Sequence, residues 1–189
     1  MPRAPRPPLR LLALSTTLAL AAAIGTYTLL DDDDEPALST DSIRLTPADE
    51  AEGDTDSVAF TTFEGDEVAL SSLRGTPVLV NFFASTCVPC ITEMPALEEV
   101  HQELGDQVTF LGLALQDRPE DALDLVERTG VTYRTAQDKD ASVITALGGT
   151  VLPTTVLLDA DGRILTSRSG QLDADELRQI IADELGIEA

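Results

Sequence analysis

The sequence has no tryptophan, one histidine and two cysteines in 189 residues. One histidine and a single cysteine pair do not supply the four ligands of a structural zinc centre. Aromatic residues make up 4% of the chain, so its core has to be aliphatic. Basic residues are scarce as well, 12 Lys and Arg against 34 Asp and Glu. Three of those twelve (Arg3, Arg6 and Arg10) precede the first acid. Residues 31–189 therefore hold 9 basic and 34 acidic groups, a net charge of -25. That sign repels a phosphate backbone and excludes nucleic acid as a natural partner. It favours solubility and suits basic partners or salty surroundings. It also opposes thiolate formation slightly, an effect that salt screens. No internal repeat is present.

What the chain does have begins with its first thirty residues. MPRAPRPPLR is basic and proline-rich, Leu11 to Leu30 runs for twenty residues without a charge, and Asp31-Asp32-Asp33-Asp34-Glu35 follows at once. A positive start, an apolar stretch and an acidic far side make an export signal. Twenty such residues are long enough to span a bilayer. We read residues 1–30 as an anchor that leaves the rest outside the cytoplasm. Cleavage at Ala19-Leu20-Ala21 or Ala21-Ala22-Ala23, giving a secreted protein, is the alternative. Residues 31–57 are acidic and rich in Ser, Thr, Pro and Asp, the composition of a flexible linker. Residues 58–189 hold enough apolar residues for one domain.

The most informative stretch is Val78 to Pro95, VLVNFFASTCVPCITEMP. Val78 to Phe83 is a β-prone apolar run fit for a buried strand. A short Ala84-Ser85-Thr86 turn leads to Cys87-Val88-Pro89-Cys90 and the opening of a helix. In that context C-x-x-C reads as a redox pair. Unpaired N–H groups and the dipole at a helix N-terminus favour a thiolate, so Cys87 is expected to be the acidic, exposed attacker. Cys90, one turn on, is expected to resolve the mixed disulfide. Pro89 suits a first helical turn, where no N–H partner is lost. A static structural disulfide and a Cu(I)-binding dithiol are the competing readings.

Around this centre the pattern predicts a hairpin from Val58–Thr61 and Glu67–Leu70, and a short helical turn over Ser71–Gly75. A helix is expected to reach Leu104 with a kink at Pro95, followed by a strand over Val108–Ala114. Pro119 to Thr129 reads as a helix with Leu123, Val126 and Leu125 on its apolar face. Val131–Arg134 reads as an edge strand, and Ala141–Leu147 as a short helix. Thr154–Leu158 and Arg163–Thr166 flank the Asp159-Ala160-Asp161-Gly162 turn. A last helix runs from Asp173, its N-cap, to Leu185, with Gly186 as its stop. Such an order builds an α/β fold, a three-layer sandwich.

VLVNFFASTCVPCITEMP and LPTTVLLDADGRI, in this order and separation, resemble thioredoxin-fold proteins. More specifically, they resemble the exported TlpA/ResA-like thiol–disulfide oxidoreductases, over about residues 58–186. The resemblance implies a thioredoxin-like α/β/α sandwich with an N-terminal β-hairpin and an inserted helix–strand element. It implies that Pro153 is cis and faces the disulfide, leaving the Leu152 backbone free to pair with a substrate strand. It makes Glu93, three residues past Cys90, the acid that tunes the cysteines' proton transfers. Asn81 stands where cytosolic thioredoxins carry a buried Asp, which puts more weight on Glu93. Thr86 replaces the usual Trp before the first Cys, and Phe83 a second Trp. Those departures expose the disulfide and bear on partner docking.

The expected activity is disulfide exchange through the Cys87–Cys90 pair alone, with no added cofactor and no metal. Reduction of disulfides in exported proteins such as apocytochrome c, recharged by a membrane electron donor, is the direction the resemblance implies. An oxidant for secreted-protein folding is the reverse case, and a copper chaperone a different class. His101, eleven residues past Cys90, reads as a surface or helix-packing residue. The P-x-x-x-[ST]-x-x-C pattern of peroxiredoxins is missing at both cysteines.

Overall fold

In the computed structural model, residues 55–188 are described. The expected anchor and all but the end of the expected linker lie outside them. Among the described residues no helix is long and apolar enough to cross a membrane.

Seven strands form one sheet: β1 (Ala59–Thr61), β2 (Glu67–Ala69), β3 (Val78–Phe83), β4 (Thr109–Leu115), β5 (Arg134–Asp138), β6 (Thr154–Leu158) and β7 (Ile164–Ser169). Among the described residues four helices accompany them: α1 (Val88–Leu104), α2 (Pro119–Thr129), α3 (Ser142–Ala146) and α4 (Ala174–Leu185). The spatial order is β2-β1-β5-β4-β3-β6-β7. β3, β4 and β5 run parallel, while β6, β7 and the β1–β2 hairpin are antiparallel to their neighbours. This is the expected thioredoxin-like sandwich.

β3 is buried along its whole length, so its side chains serve both faces of the sheet. Because successive strand residues alternate in direction, Leu79 and Phe83 join the cluster with Met94, Leu97 and Val100 of α1 and with Leu177 and Ile181 of α4. Val78, Val80 and Phe82 join the opposite cluster, with Val143 and Ile144 of α3. Asn81 shares its parity with Leu79 and Phe83. It is therefore a polar residue aimed at the α1 side, where a buried partner is required.

Asp173 caps α4 as expected, in a reciprocal pair with Glu176: each side chain accepts the other residue's N–H at 2.9 Å. Gly186 ends that helix at φ 67, a conformation a side chain would resist. α1 continues through Pro95 as one helix to Leu104. The chain is already docked at Thr55, whose hydroxyl donates to the Gly162 carbonyl at 3.0 Å.

Three expectations need correction. The strand anticipated at Val131–Arg134 begins only at Arg134, and it is interior, between β1 and β4. Its continuation, Thr135-Ala136-Gln137-Asp138, carries polar residues that are buried with bonds of their own, and so lacks an apolar signature. The N-terminal hairpin covers its outer edge through Thr61 and Gln137. On α2 the buried residues are Ala122 and Leu125, while Leu123 is 45% exposed. Ala122, Leu125 and Val126 make the i, i+3, i+4 stripe that a helix needs. Leu70 leaves β2 for a 3-10 turn, Leu70–Leu73, where it is buried.

Candidate active site

β3 delivers the chain to a tight turn at the end of the sheet. The Cys87 N–H donates to the Ala84 carbonyl at 3.0 Å, closing that turn. Cys87 is then the N-cap of α1, and its Sγ accepts the Cys90 N–H at 3.3 Å. Its own carbonyl accepts the Ile91 N–H at 3.1 Å. The sulfur thus occupies the place an N-cap oxygen usually takes, where unpaired N–H groups and the helix dipole converge. Cys87 and Cys90 form a disulfide with Cα atoms 5.3 Å apart. Cys90 is fully buried, Cys87 half-buried. Of the two sulfurs, Cys87 is the one a partner can reach. Thr86 and Pro89 are exposed beside it, and Val88 is 71% exposed.

Glu93 lies three residues past Cys90, a spacing that puts both on one face of α1 about 5–6 Å apart at Cβ. It is fully buried. One carboxylate oxygen accepts from the Asn81 amide at 2.8 Å and the other from the Leu172 N–H at 3.1 Å. The same Asn81 nitrogen donates to the Thr155 hydroxyl at 3.1 Å. Register explains the cluster: Asn81 and Thr155 are directly opposed on β3 and β6 and face the α1 layer. Burial pushes the Glu93 carboxyl up to about 7, against bonds from Leu172, Asn81 and Thr155 that favour the anion. A group with that proton affinity accepts or gives up a proton near neutrality.

Leu152–Pro153 is a cis peptide bond. Thr154 pairs with Phe82, so Pro153 sits level with Phe83, at the sheet end from which the cysteine turn departs. Pro153 is buried and its carbonyl accepts the Gly170 N–H at 2.9 Å. Leu152 is half-buried, and Val151 ahead of it is 53% exposed. Thr86, Cys87, Cys90, Leu152 and Pro153 are therefore gathered at one end of the sheet, with Glu93 beneath the cysteines. His101 lies apart, packed against Phe110 and Tyr133 with ring centroids 5.2 and 5.7 Å away. Among the described residues no three His, Cys, Asp or Glu side chains are grouped to hold a metal ion.

Asn81, expected as the place of a missing base, is also the side-chain donor that holds Glu93. Thr155, Leu172 and Asp117, which accepts from Ser85 just ahead of Cys87, were not among the expected site residues. Thr155 was within reach through strand pairing, since LPTT sets which residue faces α1. Leu172 offers only a main-chain N–H and left no signal.

A reachable cysteine at a helix N-cap, disulfide-bonded to a buried one and set at the same sheet end as a cis-proline, defines a thiol–disulfide oxidoreductase of thioredoxin fold. The Redoxin family model matches residues 50–181. The thiol–disulfide oxidoreductase ResA of Halalkalibacterium halodurans is 31% identical over 125 residues, 64% of this chain and 71% of that protein. Among solved structures, MTB DsbF superimposes with a TM-score of 0.63 at 26% identity, over 69% of this chain and 96% of that one. A DsbF homologue from Corynebacterium diphtheriae gives 0.60 at 30% identity, over 67% and 83%. The chain belongs to the Redoxin family, among its ResA-like thiol–disulfide oxidoreductases.

Proposed function

We propose that this protein works outside the cytoplasm, tethered by its N-terminal segment, and reduces disulfides in exported cysteine-containing proteins such as apocytochrome c. The Cys87 thiolate attacks one sulfur of the substrate disulfide; a Cys87–substrate bond forms and the other substrate sulfur leaves as thiolate. Cys90 then loses its proton to Glu93 and attacks Cys87, releasing the second substrate thiolate and restoring the Cys87–Cys90 disulfide. Two electrons pass from the dithiol to the substrate. A membrane dithiol donor returns them.

The observation that carries this reading is the Glu93 carboxyl, buried one turn beyond buried Cys90 and held by Asn81 and Leu172, where burial pushes it up to about 7. Cys90 needs a base that water cannot supply at that depth, and Glu93 has the affinity to act as one. The reducing direction is supported by charge. Strong oxidants of this kind stabilise their reduced form. Here a buried acid and a surplus of acidic groups disfavour the thiolate instead. Thr86 and the Leu152 backbone, set by the buried Pro153, offer the surface on which an extended substrate segment pairs.

The test uses two variants and an oxidised apocytochrome c haem-site peptide. Cys90→Ser is expected to accumulate a mixed disulfide between Cys87 and the peptide, and Cys87→Ser to form none. Trapping by Cys87→Ser would invert the roles, and trapping by neither would sink the reaction.

A further inference from the structure

Two observations outside the cysteine–glutamate cluster point to one residue. The loop after β4 contains Gln116 at φ 48, a left-handed conformation that a residue with a side chain adopts only under constraint. Its N–H is fixed by the Asp138 carbonyl at 2.9 Å. The next residue, Asp117, turns its carboxylate onto the cysteine turn. Oδ2 accepts the Ser85 N–H at 2.5 Å and Oδ1 the Ser85 hydroxyl at 2.9 Å. The Asp117 carbonyl is held in turn by the Gln137 side-chain amide at 3.5 Å. β5 thus grips this loop on both sides of the strained residue.

We propose that Asp117 is a positioning residue that clamps the segment ahead of Cys87 and holds a negative charge beside it, biasing the pair toward electron donation. Ser85 lies two residues before Cys87, so their Cα atoms are within about 7.6 Å. A carboxylate bonded to Ser85 therefore stands on the same tight turn as Cys87, the turn that the Cys87 N–H closes onto the Ala84 carbonyl. Like charge disfavours the thiolate. The charged groups around the turn are few. Glu93 comes from α1, Asp117 and Arg118 from the loop after β4, and Asp138 and Lys139 from the end of β5 that bonds Gln116. Arg118 is drawn to Glu120 and Asp121. Neither the cis-proline loop (residues 148–153) nor residues 169–172 contain an ionisable side chain. Cys87 therefore sees an N-cap that favours its anion and a clamp that opposes it. The clamp is what keeps the dithiol from becoming a stable thiolate reservoir.

The inference rests on Cys87 being the attacking thiol. Its test is Asp117→Asn in the full chain, which keeps an acceptor for Ser85 and removes the charge. The readouts are the pH profile of Cys87 alkylation and the equilibrium with glutathione. Removing one charge at this range is expected to lower the apparent Cys87 pKa by about half a unit to one unit. The glutathione equilibrium is expected to shift about three- to tenfold toward the dithiol. Ser85→Ala, which removes one bond and no charge, is expected to move both values much less. Asp117→Ser serves if the Asn variant does not fold. Values for the uncharged variants within 0.2 unit and twofold of the parent (roughly the limit of such profiles) would overturn the proposal, as would an equal shift in Ser85→Ala. The parent's own equilibrium tests the direction of the reaction, so the two readings fail separately.

Discussion

Glu93→Gln isolates the proton on which the resolving step depends. In the folded, oxidised protein the carboxyl sits at about 7 against 4.5 when solvated. A shift of that size, at roughly 1.36 kcal/mol per unit, corresponds to about 3 kcal/mol between the two protonation states. The sign follows from linkage. The folded protein holds this proton more tightly than the unfolded chain, so stability is fully present below about 4.5 and is lost as pH rises through 7. Gln is neutral throughout and carries no such dependence. The difference between the two proteins is therefore near its floor at pH 4.5 and widens by about 3 kcal/mol by pH 8, with the parent the weaker. Reading that difference cancels the repulsion among the other acidic groups, which both share. The substitution brings an NH2 against one of two donors, the Asn81 amide or the Leu172 N–H. Asn81 can turn its own unpartnered Oδ1 toward it, which limits the packing cost. Urea unfolding of both oxidised proteins, followed by circular dichroism at half-unit steps of pH, gives the curve. A difference that stays flat from pH 4.5 to 8 would refute the buried-acid account and leave Glu93 as a packing residue.

Two further predictions concern the scaffold. A Cβ at Gly149 would meet Ile144 Cγ1 at 2.6 Å and Thr154 Cγ2 at 3.1 Å, so Gly149→Ala is expected to push the cis-proline loop outward. Stability should fall by about 1–3 kcal/mol, and reaction with a protein disulfide should slow more than reaction with a small one. Arg178 bonds Glu99 and Glu103 of α1 and Asp175 of α4, yet these partners are largely solvated. Arg178→Ala is expected to lower stability only slightly, and less in high salt, by the same unfolding assay.

The parts of this fold that were legible in the sequence are those where one local pattern carries the information. Val78–Phe83 is apolar on both faces because it is central, and Cys87 and Asp173 each cap a helix within three residues of themselves. β5 was misplaced because Gln137 and Asp138 are buried through hydrogen bonds rather than through apolarity. Asp138 caps α3, accepting the Ile144 N–H at 2.9 Å, so a residue that looks like a turn signal lies inside the sheet. Leu123, expected on the apolar face of α2, is exposed, and position on the helix puts Ala122 in the core instead. In the site, the cysteines and Glu93 stand on one helix and could be read together. Their supports come from elsewhere: Asn81 lies 12 residues away, Asp117 32 residues from Ser85, and Leu172 79 residues from Glu93. Only the folded sheet brings these into register. The cis bond at Pro153 was reachable through family resemblance alone.

The reduction potential of the Cys87–Cys90 pair is the most direct measure of what the protein does. It is set by equilibrating the protein in graded thiol buffers and read by alkylation, since no tryptophan is present to report the redox state. A reductase fed by a membrane donor predicts a value near that of thioredoxin, about -270 mV. A value near -120 mV, that of a strong oxidant, would contradict the account and reverse the direction of electron flow.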